Sequence, residues 1–346
     1  MPSKKTVTIH DVAREAGVSP ATVSRVLSTD DYAVEETIQK VLRAVEKTGY
    51  RVLKTKIKPS DDHKNILVVC SSMRDQGSSY FLEGIERSAN ECGYSTYIKH
   101  LMMSQVAAGK PNAEELLVWA KGCDAAGLLI FSDAVDCEAI TEVGAMIPTA
   151  TMMTDYSTSG ISSVDVDEED MIRKCLQHLI STGKKKIALI TGQPKYRRCK
   201  VVKGIYFSLL KEMGLESNQE WCANIDTNYF STSAAVAADQ MLKNPNPPDA
   251  FITTSDIYAA GVIYACSRIG LHIPEDVAVV GRDNSSVCHV TIPQITSFNM
   301  PAEMIGYTAC NSLIAKIEGP ERNTRNIVLT CDLIVRDSTA RNITTA

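Results

Sequence analysis

The residues with the clearest chemical potential lie within one short stretch, SPATVSRVLS at 19–28. Ser19, Thr22 and Ser24 carry hydroxyls that can bond phosphate oxygens, and Arg25 can donate two parallel N–H bonds to a guanine edge. If Ser19 caps a helix with Pro20 at its first position, that helix offers an N-terminus that favours an anion. An ordinary two-helix hairpin could carry the same residues, so their chemistry depends on what positions them. Elsewhere the search for reactive constellations is negative. The six histidines form no HExxH, and no G-x-S-x-G elbow exists. Neither G-x-G-x-x-G nor G-x-x-x-x-G-K-[ST] follows an apolar run. Eleven cysteines include no CxxC, which argues against zinc-ribbon and dithiol redox sites; they read as small buried hydrophobes of a reduced compartment. Carboxylate pairs such as Glu168 and Glu169 fall at helix starts, where they suit the macrodipole. No catalytic residue, cofactor or metal is expected.

The flanking sequence supplies the elements that would position Arg25. Thr8 precedes IHDVAREAG, in which Ile9, Val12, Ala13 and Ala16 recur at helical spacing. Thr8 can cap this helix, with Asp11 close to a capping-box arrangement. Gly17 supplies the turn, because it tolerates positive φ. The second helix buries Val23 and Val26 and presents Ala21, Thr22 and Arg25 outward. A third, VEETIQKVLRAVEKTGY, directs Ile38, Val41, Leu42 and Val45 inward and ends before Gly49. The spacing is that of a helix-turn-helix whose second helix can enter a major groove.

TIHDVAREAGVSPATVSRVLS followed by EETIQKVLRAVEKTGYR resembles the headpiece of the lactose-repressor (LacI/GalR) family of bacterial transcription regulators. The resemblance implies that Pro20, Ala21 and Arg25 face base edges. It places Thr8, Ser19, Thr22, Ser24 and Ser28 on phosphates and Tyr32 near the DNA backbone. Val34 departs from the usual helix-capping Ser. The hinge departs further: YRVLKTKIKPSDDHKN replaces the family's Pro-Asn and Ala-Arg-x-Leu pattern, and Pro59 stops the segment. Ile57, or Leu53, is the candidate minor-groove wedge. The other reading is a basic linker that holds phosphates without kinking DNA.

Beyond residue 60 the chain alternates short apolar runs with helical stretches. ILVVC, STYIKH, AGLLIF, PTATMM, KIALIT, AFITT, VAVVG and LIVR predict strands of parallel sheets covered on both faces. This part resembles the family's effector domain, a periplasmic-binding-protein-like (type I) pair of parallel-sheet subdomains. The resemblance implies a small molecule in the cleft between them, a sugar or sugar derivative. It points to Asp283 first, as acceptor for a hydroxyl or ring N–H, then to Ser255 and Asp256, Tyr80 and Phe81, Phe230 and Asp155. Loop capping by Asp283 and plain core roles for the aromatics are the alternatives. Several positions depart from the family. Val201 stands where its effector arginine falls, with Arg197, Arg198 and Lys200 out of register. Arg282 replaces an aromatic, Asn284 an aspartate and Met300 a glutamine.

The fold expected is thus an all-α helix-turn-helix headpiece over 1–51, a hinge over 52–63 and an α/β effector-binding and dimerisation domain over 64–346. Its subdomains would be 64–160 plus 295–325, and 161–294 plus 326–346. The function implied is a ligand-responsive repressor of carbohydrate or related catabolic genes. It would bind a pseudo-palindromic double-stranded operator as a homodimer, or as part of a tetramer. A sugar-binding module without DNA function is the alternative from another class, and an α/β hydrolase or lyase a third. Charge placement favours the first. Residues 1–60 hold 11 Lys/Arg and 7 Asp/Glu, a net of +4, within a chain whose net charge is −5. No run approaches the ~20 apolar residues of a membrane span, and the first residues lack the apolar core of a signal peptide. A soluble, cytoplasmic protein is expected.

Overall fold

A computed structural model describes residues 9–27, 35–48, 64–70, 76–101, 109–131, 135–154, 161–194, 196–225, 230–319 and 324–340. The chain divides into two compact units, Met1–Asp62 and His63–Ala346.

The first unit contains three helices, α1 (Ile9–Ala16), α2 (Pro20–Leu27) and α3 (Glu35–Thr48). Val12, Ala13, Val23, Val41 and Ala44 form its buried core, with Ala16, Val18, Val26 and Val45 packed around it. α1 ends where Gly17 adopts φ +67°. The Val18 N–H then returns to the Ala13 carbonyl at 3.1 Å, a six-to-one closure that Gly permits without steric cost. Ser19 caps α2 as its sequence position predicts: its Oγ accepts from the Thr22 N–H at 3.1 Å. One expected core residue is not in the core. Leu42 is 47 % exposed, and Ala44 is buried instead. The small core seals with Val41 and Ala44 three residues apart, which turns the intervening Leu42 outward.

The second unit holds two six-stranded sheets. One has the order β11-β5-β4-β3-β1-β2, and all its pairings are parallel. Its strands are β1 (Lys64–Cys70), β2 (Tyr94–His100), β3 (Ala125–Phe131), β4 (Thr149–Met152), β5 (Ser162–Val166) and β11 (Asn326–Leu329). The other has the order β12-β10-β9-β8-β6-β7, parallel except for β10 with β12. Its strands are β6 (Ile187–Thr191), β7 (Cys222–Asn224), β8 (Ala250–Thr253), β9 (Ala278–Arg282), β10 (Thr296–Asn299) and β12 (Asp332–Ile334).

Helices cover both faces, as parallel sheets require. α4 (Gln76–Glu91) and α12 (Ala302–Glu318) lie on the first sheet, opposite α5 (Ala113–Gly122) and α6 (Cys137–Met146). α7 (Glu168–Ser181) and α8 (Arg197–Glu212) lie on the second. α9 (Phe230–Leu242), α10 (Asp256–Arg268) and the short α11 (Val287–Val290) take its other face. β6 records the two-sided burial residue by residue: Ile187 and Leu189 enter one core, Ala188 and Ile190 the other.

The chain crosses between the halves later than the sequence reading placed it. β5 belongs to the first sheet although it follows residue 160, and β10 belongs to the second although it follows residue 294. The exchanges come at Asp167, between β10 and α12, and between β11 and β12. The strands responsible, SSVDV, TSFN and NIVL, are short or partly polar, so they lack the apolar run that marks their neighbours.

Candidate nucleic-acid interface and effector cleft

In the headpiece, α2 is fixed by three features. Gly17 sets the turn, Ser19 caps the first turn, and Val23, with no exposed surface, anchors the helix to α1 and α3. The Ser19 Oγ also lies 2.8 Å from Thr22 Oγ1, so both hydroxyls sit at the start of α2, where the backbone N–H groups point outward. Lys47 pairs with Glu15 at 2.5 Å and ties α3 to α1 across the surface. The side chains of Ala21, Ser24 and Arg25 lie outside the described residues, as do Thr8, Ser28, Tyr32 and the whole hinge with Ile57.

In the second unit, ligand-binding geometry for open parallel sheets lies beyond the carboxyl ends of the strands. Ser255 and Asp283 meet there, at the ends of β8 and β9, with Ser255 Oγ donating to Asp283 Oδ2 at 3.2 Å. Asp283 and Asn284 both hold positive φ, +106° and +52°. Consecutive non-glycine residues in that region are costly, and such strain is characteristic of sites where a side chain must point in one direction. The surroundings lock it: the Asp283 N–H reaches the Phe298 carbonyl at 3.1 Å. The Asn284 N–H donates to Ser297 Oγ at 3.1 Å, and Arg336 Nη2 to Asn284 Oδ1 at 2.6 Å.

Asp256 is placed differently from the sequence expectation. It is 1 % exposed, and its carboxylate accepts from Ser285 N–H at 2.7 Å, Ser285 Oγ at 2.9 Å and Ser297 Oγ at 2.6 Å. Burial pushes its pKa up against those hydrogen bonds. It therefore braces the Ser285 backbone and the hydroxyls of Ser285 and Ser297, and both its oxygens are taken by these internal donors. Phe81 also belongs to the core: it is 8 % exposed, with its ring 4.8 Å from that of Phe131. Tyr80 next to it is 45 % exposed. Asp155 and the Phe230 side chain lie outside the described residues.

Arg197, Arg198 and Lys200 are out of register with the family's effector arginine, which leaves their role open from sequence. Arg197 and Arg198 start α8 and reach across to the first half. Arg197 Nη1 donates to the Thr154 carbonyl at 2.8 Å. Arg198 Nη1 donates to the Met153 carbonyl and to Asp165 Oδ1, both at 3.2 Å. Arg198 Nη2 bonds Glu168 Oε1, and Arg282 grips both oxygens of Glu168 at 2.9 Å. Burial alone raises the Glu168 pKa. The charges of Arg198 and Arg282 and their hydrogen bonds outweigh it and hold the carboxyl at about 2. Met153, Thr154, Asp165, Glu168, Arg197 and Arg198 line a cavity of about 470 Å³, to which Val201, Ile205 and Val328 add apolar surface. The signal that could have found the cluster was coordinated: a glutamate at a helix start and an arginine in place of an aromatic.

Among the described residues no group of His, Cys, Asp and Glu could hold a metal ion, and no helix is long and apolar enough to cross a membrane.

Comparison with known proteins gives two family matches, bacterial regulatory proteins of the lacI family over residues 8–52 and the periplasmic binding protein-like domain over 176–339. Catabolite control protein A of Priestia megaterium is 31% identical over 93% of this chain and 96% of its own. The HTH-type transcriptional repressor CytR of Escherichia coli K12 is 27% identical, covering 96% of each chain. Among solved structures, the Lac repressor dimer bound to operator and the anti-inducer ONPF aligns with a TM-score of 0.72 at 25% identity, over 97% of this chain and 100% of that one. A cellobiose complex of the transcriptional regulator CelR aligns at 0.69 and 25% identity, over 96% of this chain and 99% of that one. The capped second helix, the two parallel sheets with their shared cleft, and the match to a relative along nearly the whole chain agree: this protein belongs to the lacI family of bacterial regulatory proteins, a family of DNA-binding transcription regulators and not of enzymes.

Proposed function

We propose that the chain is an effector-responsive repressor that binds a pseudo-palindromic operator as a homodimer. The observation that carries this reading is the mounting of α2: capped by Ser19, anchored by Val23 and preceded by the Gly17 turn. That mounting supports major-groove entry with Pro20, Ala21 and Arg25 on base edges. Thr8, Ser19, Thr22, Ser24 and Ser28 then hold phosphates, with Tyr32 nearby and Ile57 as the hinge wedge. Two headpieces are needed to read two half-sites, and a two-fold protein calls for a symmetric operator. Support for self-association comes from apolar surface on the second half. Val236 and Tyr264 flank a groove of about 610 Å³ between α9 and α10, and Val290 and Ile292 stand exposed at the end of α11 and just beyond it.

The effector reading rests on Asp283 and Ser255, an acceptor and a hydroxyl held beyond the carboxyl ends of β9 and β8, where open parallel sheets bind ligands, with Tyr80, Phe230 and Asp155 as further contacts. A small polar molecule with hydroxyl or ring N–H donors suits them. It acts by binding one relative placement of the two halves better than another. A carbohydrate or a related metabolite is the class proposed, and the genes controlled are those of its catabolism.

The test uses duplexes selected from a random library on the full chain. Saturable binding that weakens steeply with salt, and that changes when a stabilising small molecule is added, is the expected outcome. A chain that binds sugars yet enriches no duplex would favour the solute-binding alternative.

A further inference from the structure

The Arg198 cluster lies outside the residues assigned above to DNA or effector contact. We propose that Arg198 is a positioning residue that latches the two halves of the effector body to each other through one guanidinium group. Its partners come from both sides of the crossover. The Met153 carbonyl at the end of β4 and Asp165 in β5 belong to the first half. Glu168 at the start of α7, gripped in turn by Arg282 at the end of β9, belongs to the second. Arg198 itself stands on α8 of the second half, and its neighbour Arg197 adds a parallel strut to the Thr154 carbonyl at 2.8 Å.

Three features make this a latch and not a surface ion pair. The side chains of Arg282 and Glu168 are only 9 % and 11 % exposed, and those of Arg198 and Asp165 only 21 % and 13 %. At that depth solvent screens the charges little, and the planar fork of arginine reaches acceptors on separate sides from several nitrogens, a spread that the single ammonium nitrogen of lysine does not span. Second, Met153 sits at φ +61°, a conformation a non-glycine residue rarely adopts, and its carbonyl is the one Arg198 holds. Third, the cluster includes one position, Arg282, that departs from the family pattern: it stands in place of the family's aromatic. Val201 stands in place of its effector arginine, one helical turn beyond Arg198 along the same cavity wall. Arg198, one turn earlier on α8, spends its guanidinium on protein acceptors.

Because β4 leads directly towards Asp155, the latch ties the relative placement of the halves to the segment expected to meet the effector. The inference rests on the two-sheet fold and its crossovers, so it stands or falls separately from the effector assignment.

The test is hydrogen exchange with calorimetry on the full chain carrying Arg198→Gln or Arg198→Lys, without ligand. Cutting the latch is expected to speed exchange at least several-fold on both sides of the crossover, in 149–154 and 162–166 as well as 197–200. α9 and α10 stay at wild-type rates. The effector body's unfolding transition should broaden or split, because its halves uncouple. Lysine keeps the charge but not the fork and should restore only part of the protection. Acceleration confined to the first turn of α8, or full rescue by lysine, would overturn the proposal. If Arg198→Gln fails to fold, Asp165→Asn cuts only the arm that reaches the first half. It must loosen the same three segments, and unchanged exchange at 197–200 would count against the latch.

Discussion

Glu168→Gln removes one charge and almost no volume from the centre of the Arg198–Glu168–Arg282 cluster. The carboxyl is held at about 2 against an ordinary 4.5. At about 1.4 kcal/mol per pKa unit, that displacement is worth about 3 kcal/mol. A separate argument gives a similar figure: breaking a buried ion pair by removing one partner typically costs roughly 3–5 kcal/mol, since the other charge stays buried. Here two arginines lose their shared anion, so a loss of about 3–5 kcal/mol at pH 7 is expected. The pH dependence has a definite sign. The folded-state pKa is depressed, so the stabilisation is complete above about pH 4.5 and is lost as pH falls from there toward 2. Urea denaturation followed by the fluorescence of buried Trp221 measures it. Wild type and variant should be far apart at pH 7 and converge below pH 4.5, with similar urea slopes. A cycle with Arg282→Gln should return a coupling energy of about 1–3 kcal/mol. A loss under about 1 kcal/mol at pH 7, or a gap unchanged at low pH, would refute the reasoning.

Other substitutions probe the remaining links. Gly306→Ala would put a methyl group 2.0 Å from the Phe81 carbonyl oxygen where α12 crosses α4, and backbone cannot yield cheaply. A loss at or above about 1–3 kcal/mol is expected by thermal denaturation. Gly204→Ala on α8 meets nothing within 4 Å and should be neutral or stabilise by about 0.5–1 kcal/mol, so equal effects at the two sites would contradict the packing described. Asp283→Ala should abolish calorimetric binding of the effector while leaving operator affinity within a factor of about two; unchanged ligand affinity removes it from the site. Asp256→Asn should instead lower the melting temperature as well, because that carboxylate accepts three internal bonds.

The headpiece was legible because each local signal agreed with the others. Gly at the turn, Ser-Pro at a helix start and apolar residues at helical spacing leave little else for the segment to be, although among the described residues Leu42 turns outward and Ile38 is only half-buried. In the body, eight strands were legible, and six of them (β1, β3, β4, β6, β8 and β9) stand out as apolar runs because both their faces are covered, whereas β2 and β12 are largely exposed. β5, β7, β10 and β11 were not legible: their runs are short or mixed with Ser, Thr, Asp or Asn, and three of them carry the chain to or from a crossover. The expected subdomain boundaries were therefore early by a strand each time. At the strand ends, Ser255 and Asp283 are joined by a hydrogen bond. Asp256 and Phe81 did not join them, because sequence spacing cannot say which of two neighbouring side chains turns inward. The Arg198 cluster was hidden for a different reason. Its members are up to 117 residues apart in Asp165 and Arg282, and each looks like a surface charge until the fold buries them together.

The central claim is that α2 reads base sequence and that two copies do so on a symmetric site. The most direct measurement is selection of duplexes from a random library by wild type and by Arg25→Ala, followed by titration of the winning site. The account predicts an enriched inverted repeat for wild type. It predicts a loss of about 1–3 kcal/mol on that site for the variant, with relaxed choice at one base position in each half and unchanged affinity for non-specific DNA. An enriched site without two-fold symmetry, or equal affinity and equal base preference in the two proteins, would contradict it.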